Sequence, residues 1–282
     1  MILLLPADIS AVGLRVGDMA WRPYAATEYY QWKESIPRAP NFLTESGPRY
    51  ALGLAYSNFT NVRRGALIEL DARIYNGSVA YNGNAFDLTA SAPELKPFKT
   101  STRYFGNTLE LKAGYRFPLS PAGLLRAVDG RFSLGSDFWQ RNIGSGSLAD
   151  GTPVQGYLET YHFLYAKAGL GLQLLTHGHG HNIHMGVKIP LRTWETIDFN
   201  TLGASVDLRP RALLSYYASW LIYPVLPQRS TFSLSLYFEQ TRFSRSDTET
   251  FTFRSGGRTY RSAVYQPDSE STVTGLRGVW EF

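Results

Sequence analysis

Thr272-Val-Thr-Gly-Leu-Arg-Gly-Val-Trp-Glu-Phe282 closes the chain. Taken two residues at a time, it sets Thr272, Thr274, Leu276, Gly278, Trp280 and Phe282 on one face and Val273, Gly275, Arg277, Val279 and Glu281 on the other. Side chains alternate sides in this way on an extended strand, so the stretch reads as a strand with one aromatic face and one charge-bearing face. The same alternation recurs upstream. In Arg64–Tyr75, Ala66, Ile68, Leu70, Ala72 and Ile74 oppose Glu69, Asp71 and Arg73. In Arg103–Phe117, Leu109, Leu111, Ala113, Tyr115 and Phe117 oppose Thr108, Glu110, Lys112, Gly114 and Arg116. Ten such segments can be marked, near 21–33, 49–59, 64–75, 103–117, 127–141, 157–174, 181–191, 205–222, 231–243 and 272–282. A period of two sustained this long is a strand signal and not a helical one.

The spacers carry independent information. Residues 60–63, 118–125, 175–180 and 223–229 are short and rich in Gly, Pro or Asn, whereas 35–48, 76–102, 142–156, 192–204 and 244–270 are longer and more polar. Short and long connections alternate, as in an up-and-down barrel with tight turns at one end and large loops at the other. Composition excludes several alternatives. No apolar run approaches the ~18 residues of a transmembrane helix. The chain has no cysteine, which removes disulfides, zinc-thiolate sites and a cysteine nucleophile. Its net charge of +5 is modest and spread out, so nucleic acid is not an expected partner. A soluble barrel would have to bury all ten apolar faces, many of them aromatic, and would expose a Gly/Ser/Thr-rich face where Lys and Glu are usual.

An amphipathic closing strand that ends on Phe282, with Trp280 two residues before it, resembles the carboxyl-terminal strand of Gram-negative outer-membrane β-barrels. The resemblance implies that Trp280 and Phe282 belong to the signal read by the barrel-assembly machinery, and that the protein sits in the outer membrane against lipid and lipopolysaccharide. The expected fold is all-β: an antiparallel up-and-down transmembrane barrel over residues 21–282, of ten strands, or twelve if 79–102 or 250–265 enter the wall. Residues 1–20 read as an N-terminal extension in the periplasm or lumen, without the basic region and cleavage pattern of a complete secretory signal. A monomer is expected.

If the apolar faces meet lipid, the polar faces line a lumen. The inward set is Glu69, Asp71, Arg73, Glu110, Lys112, Arg116, Asp129, Arg131, Asp137, Lys167, His184, Lys188, Arg211, Glu239, Arg277 and Glu281. Acids and bases are close to balanced, and at ten strands the interior is only slightly wider than side chains can fill. A salt-bridged plug is the favoured reading, giving a structural or surface-binding barrel with long extracellular loops; a narrow path for ions or small solutes is the alternative.

Three further groups carry possible chemistry. His177, His179, His181 and His184 lie within eight residues, and alternating imidazoles suit weak Zn, Cu or Ni binding, though a solvated Gly-rich turn is the favoured reading; no other cofactor is expected. Arg242, Arg245, Arg254, Arg258 and Arg261 lie in or beside the last long loop, around a hairpin signal at Gly256-Gly257, where they could pair with lipopolysaccharide phosphates. Some ten-stranded barrels are rim-located proteases of the omptin type, but His162 falls on the lipid-facing parity with Leu164 and no stretch matches that family's motifs. No enzyme is expected.

Overall fold

The computed structural model of the protein describes residues 19–37, 39–59, 64–87, 94–119, 123–176, 178–224, 231–255 and 257–281. Ten strands form the wall: β1 (Ala20–Ile36), β2 (Ala39–Ser57), β3 (Gly65–Asp87), β4 (Glu94–Pro118), β5 (Leu125–Ile143), β6 (Leu158–Thr176), β7 (His179–Phe199), β8 (Ser215–Pro224), β9 (Thr231–Ser244) and β10 (Asp268–Glu281). Every strand is antiparallel to its sequence neighbours. β10 returns to pair with β1, with Tyr24 opposite Val279 and Ser35 opposite Asp268, so the sheet has no free edge. The wall has ten strands and not twelve. Residues 79–87 and 94–102 lengthen β3 and β4, while Glu249–Ser255 and Arg258–Val264 pair with each other as a separate hairpin. Two short segments, Ala204–Leu208 and Arg211–Leu213, continue β8 outward along β7 and β9. Pro210 lies in the gap between them, where a residue without an N–H cannot serve the ladder.

The inner halves of the strands follow the expected parity. Leu52, Leu70, Leu111, Phe132, Leu170, Met185, Leu234 and Leu276 all stand exposed on the outer surface. Trp21, Phe117, Phe232 and Trp280 border this belt at one end, and Tyr29, Tyr50, Phe105 and Tyr216 at the other. Water would not tolerate so large a continuous apolar surface, and an apolar band between two aromatic girdles is what a bilayer covers.

Beyond Tyr29 and Tyr50 the pattern inverts. Trp32, Leu43, Val79, Tyr81 and Phe98 are buried inside the barrel, and their outward neighbours are Gln31, Lys33, Thr44, Ser46, Ser78, Asn82 and Lys99. Here the barrel stands clear of lipid and is built like a soluble one, apolar within and polar without. Segments that read as long polar loops in the sequence are therefore largely strand: β2 begins at Ala39, β3 runs to Asp87 and β7 runs to Phe199.

Candidate functional site

The lumen of the lipid-facing half is a ladder of ion pairs contributed by strands around the ring. Glu28 of β1 accepts from Arg49 at 2.7 Å, Arg73 at 3.1 Å and the Tyr237 hydroxyl at 2.6 Å. Lys112 holds Glu69 at 2.5 Å and Asp71 at 3.1 Å. Lys167 joins Glu110 at 2.9 Å to Glu239 at 3.0 Å, and Lys188 takes the other oxygen of Glu239 at 2.6 Å. Asp129 is gripped by Arg116 at 2.7 Å and by Arg131 at 2.7 Å. At the inner end Arg116 also donates to the Phe59 carbonyl at 2.8 Å, and the Arg131 guanidinium lies 4.4 Å from the Phe59 ring, so both cations hold Phe59 just past the end of β2. A buried charge is costly unless it is paired in this way.

The sequence-derived inward set is thus brought together, with one exception. Arg211 is not lumenal: its side chain is 74% exposed and meets Asp247 at 3.5 Å on the outside. The cause is a one-residue slip. Tyr217 pairs with Glu239 but Leu213 pairs with Arg242, so one residue of the β8 side is bulged between them, and Leu213 and Leu214 are both exposed. The Ser215 hydroxyl holds the bulge by donating to the Leu213 carbonyl and accepting from the Arg242 amide. A slip of one residue turns every later side chain to the other face.

Six tyrosines complete the inner wall, each lying over the glycine opposite it on the next strand: Tyr24 over Gly53, Tyr75 over Gly106, Tyr165 over Gly135, Tyr217 over Gly186, Tyr223 over Gly180 and Tyr237 over Gly275. A Cβ on Gly53 would come within 2.1 Å of the Tyr24 ring. The missing side chain is what lets the ring lie flat against the wall and present its hydroxyl to a carboxylate, Asp71 for Tyr24 at 2.8 Å and Asp137 for Tyr75 at 3.0 Å.

Above the lipid belt the interior is closed by a second constellation. Trp139 stacks on Tyr161 with centroids 4.8 Å apart, and Trp32, Phe163 and Phe243 pack around them. Beside this layer the fully buried Arg141 binds Glu34 at 2.9 Å, Glu45 at 2.9 Å and Glu159 at 2.6 Å. The same carboxylates take further donors: Trp32 and Gln266 reach Glu34, while Thr102 and Tyr104 reach Glu45. Among the described residues a fourth carboxylate, Glu195, is hydrogen-bonded only to the Tyr161 hydroxyl at 3.1 Å, and its second oxygen is buried without a partner. That hydroxyl also contacts Glu159 at 3.1 Å. A phenol has one proton to donate, so the second contact needs a proton on a carboxyl. Burial, reinforced by Glu34, pushes Glu159 up to about 7, and burial beside Glu159 pushes Glu195 well above the usual carboxylate range.

Sequence reasoning missed Glu28, Glu34, Glu45, Arg49, Arg141, Glu159 and Glu195 as lumenal residues. For Arg141 the signal was present, since it shares the parity of Arg131 and Asp137 on β5. Glu45 and Glu195 lay in stretches read as loops.

Among the described histidines of the turn, His181 and His184 do not converge. His181 stacks on Trp220 and contacts Thr176 at 2.6 Å, whereas His184 turns into the lumen against Tyr217. Three residues of strand put them on opposite faces, and among the described residues no three His, Asp or Glu side chains are placed to hold a metal. His179 is exposed. His177, Phe282 and the Arg258 side chain lie outside the described residues, as do residues 1–18 of the expected extension.

Of the outer arginines, Arg242 is ion-paired to Glu270 at 3.8 Å, Arg245 covers the Tyr265 ring at 3.8 Å, and Arg254 and Arg261 are exposed on the hairpin. Gly257 turns that hairpin with a positive φ of 76°. His162 faces outward, contacting Ser136 at 2.9 Å and stacking on Trp194. It is therefore removed from the buried acids Asp137 and Glu159.

No sequence family matches the chain, and no curated protein does. Solved structures do. The chain is similar to the outer membrane protease OmpT of Escherichia coli at 8% identity and a TM-score of 0.52, over 95% of this chain and 98% of that one. It also matches the transport unit of the autotransporter AIDA-I of Escherichia coli (8% identity, TM-score 0.40, 97% and 92% covered) and the translocator domain of the autotransporter NalP of Neisseria meningitidis (14%, 0.35, 94% and 90%). The fold is that of an outer-membrane β-barrel, and at these identities the likeness speaks to the fold alone.

Proposed function

We propose that this protein is a monomeric barrel of the Gram-negative outer membrane whose lumen is sealed, and that it acts as a structural or surface-binding protein through the hairpins above the lipid belt. The observation that carries this reading is Arg141. Its guanidinium, with no exposed surface, ties Glu34 of β1, Glu45 of β2 and Glu159 of β6 together across the barrel, beside the Trp139–Tyr161 stack. A solute path would have to break all three pairs. In this reading assembly follows the usual barrel route, the exposed Arg254 and Arg261 face lipopolysaccharide phosphates, and no catalysis is involved.

The test is single-channel recording of the refolded protein in planar bilayers, with circular dichroism establishing the folded β-structure of the same sample. Silence is expected. Steady, salt-dependent steps would sink the sealed-lumen reading in favour of a narrow channel, the alternative that the polar cavity in the lipid-facing half favours.

A further inference from the structure

The lipid-facing half of the lumen contains a cavity of about 180 Å³. Six cations and four carboxylates line it. Five of the cations are ion-paired: Arg22 to Glu69 and Glu281, Arg73 to Glu28, Lys112 to Glu69 and Asp71, Arg131 to Asp129, and Lys167 to Glu110 and Glu239. The sixth, Arg277 on β10, is ion-paired to no carboxylate among the described residues. It lies between two rings instead, 4.2 Å from the centre of Tyr24 and 4.8 Å from that of Tyr237. Neither phenol can accept its charge as a hydrogen-bonded anion, because both hydroxyls are already spent on Asp71 and Glu28. Its Nε is buried without a partner, and so is the Nε of Arg131, which approaches the same cavity from β5, half-way round the ring.

A guanidinium inside a barrel whose donors meet no acceptor is expensive. Two ring faces recover part of that cost and fix the plane of the group, but offer its N–H groups no acceptor. Asp71 acts on Arg277 electrostatically without ion-pairing to it, and is bonded instead to Lys112 and Tyr24. We propose that the cavity holds one small oxyanion, a carboxylate or an inorganic phosphate, that accepts from the unpaired donors of Arg277. Arginine presents a planar, two-pronged donor that matches such an anion, and the space accommodates it together with water. The site is independent of whether the lumen is sealed: a trapped anion and a passing one would both use it.

The test is equilibrium dialysis of the full chain, refolded from urea in detergent with radiolabelled inorganic phosphate present and then compared at fixed ionic strength. Refolding in the ligand gives it access even to a sealed lumen. Saturable uptake of about one phosphate per chain is expected. Arg277→Gln should weaken it about tenfold or more, as loss of a charge-assisted contact implies, and Lys99→Gln on the outer surface should leave it unchanged. Absence of saturable uptake by the wild type overturns the proposal whatever the variants do. Equal uptake by Arg277→Gln, or loss in Lys99→Gln instead, also overturns it by placing the anion elsewhere. Should Arg277→Gln fail to fold, Arg277→Lys keeps the charge but not the fork, and is expected to bind with reduced affinity; unchanged affinity there would count against the geometry argued here.

Discussion

Arg141 shows how much one residue can decide. Three glutamates meet a single guanidinium in the outer half of the barrel, a fourth, Glu195, lies beside them on the Tyr161 hydroxyl, and all four are buried. Replacing Arg141 with Met leaves the carboxylates uncompensated, a change of about 3–5 kcal/mol where one partner of a buried pair is removed. A lower urea midpoint for the refolded variant is the expected result, and an unchanged midpoint would mean that the acids carry no charge to compensate. The same cluster sets a pH dependence. Glu159 and Glu195 have pKa values raised in the folded state, so the stability they contribute is full below the pKa of a free glutamate. It is lost as pH rises through about 7 for Glu159, and higher still for Glu195. Urea titrations should therefore find the barrel more stable at pH ~5 than at pH ~8. Glu195→Gln, which is neutral throughout, should flatten the difference; a barrel equally stable at both pH values would argue that neither acid holds a proton.

At the scale of the element, the repeating unit is a tyrosine laid over a glycine on the neighbouring strand. Gly53→Ala would drive a Cβ into the Tyr24 ring, which Asp71 and Arg277 hold in place. Overpacking of this kind costs about 1–3 kcal/mol, and the cost should vanish in a Tyr24→Ala background. A double-mutant cycle on the urea midpoint measures that coupling, and additive effects would show that the ring is not what requires the glycine. This unit also marks where the sequence stops being legible. The alternation of Leu109, Leu111 and Ala113 against Glu110 and Lys112 needs only one strand to be read, and it located the wall. Which glycine faces which tyrosine depends on cross-strand register, which a single strand does not encode. The outer halves were lost for a different reason. Past Tyr29 the inward side becomes apolar and the outward side polar, so Leu43 and Trp32 fall out of phase with Leu52 and Leu54. A reading that looked for one continuous apolar face ended there. Arg211 failed at a bulge that depends on the Ser215 hydroxyl, which leaves no trace in the periodicity.

Across the whole molecule the interior charges balance in sum but separate along the axis. The cavity of the lipid-facing half has more cations than carboxylates, and the outer half has four carboxylates to one arginine. Between the two lies the aromatic layer of Trp32, Trp139, Tyr161, Phe163 and Phe243, which carries no formal charge and occupies the lumen where the wall leaves the lipid. If that layer is the seal, shrinking its two indoles should open it without touching an ion pair, although Trp32 also donates to Glu34 and each truncation costs about 3–5 kcal/mol. The combined Trp32→Ala, Trp139→Ala barrel, kept folded in a lipid bilayer, is expected to conduct where the wild type is silent. Permeating ions would then pass the Glu34, Glu45, Glu159 and Glu195 ring first, so the reversal potential under a KCl gradient should favour potassium over chloride. The preference should fall as pH drops and the raised acids fill with protons. Conductance with chloride preference would place the controlling charge at the inner cavity instead. Continued silence would mean that the ion-pair ladder, not the aromatic layer, is what closes the barrel.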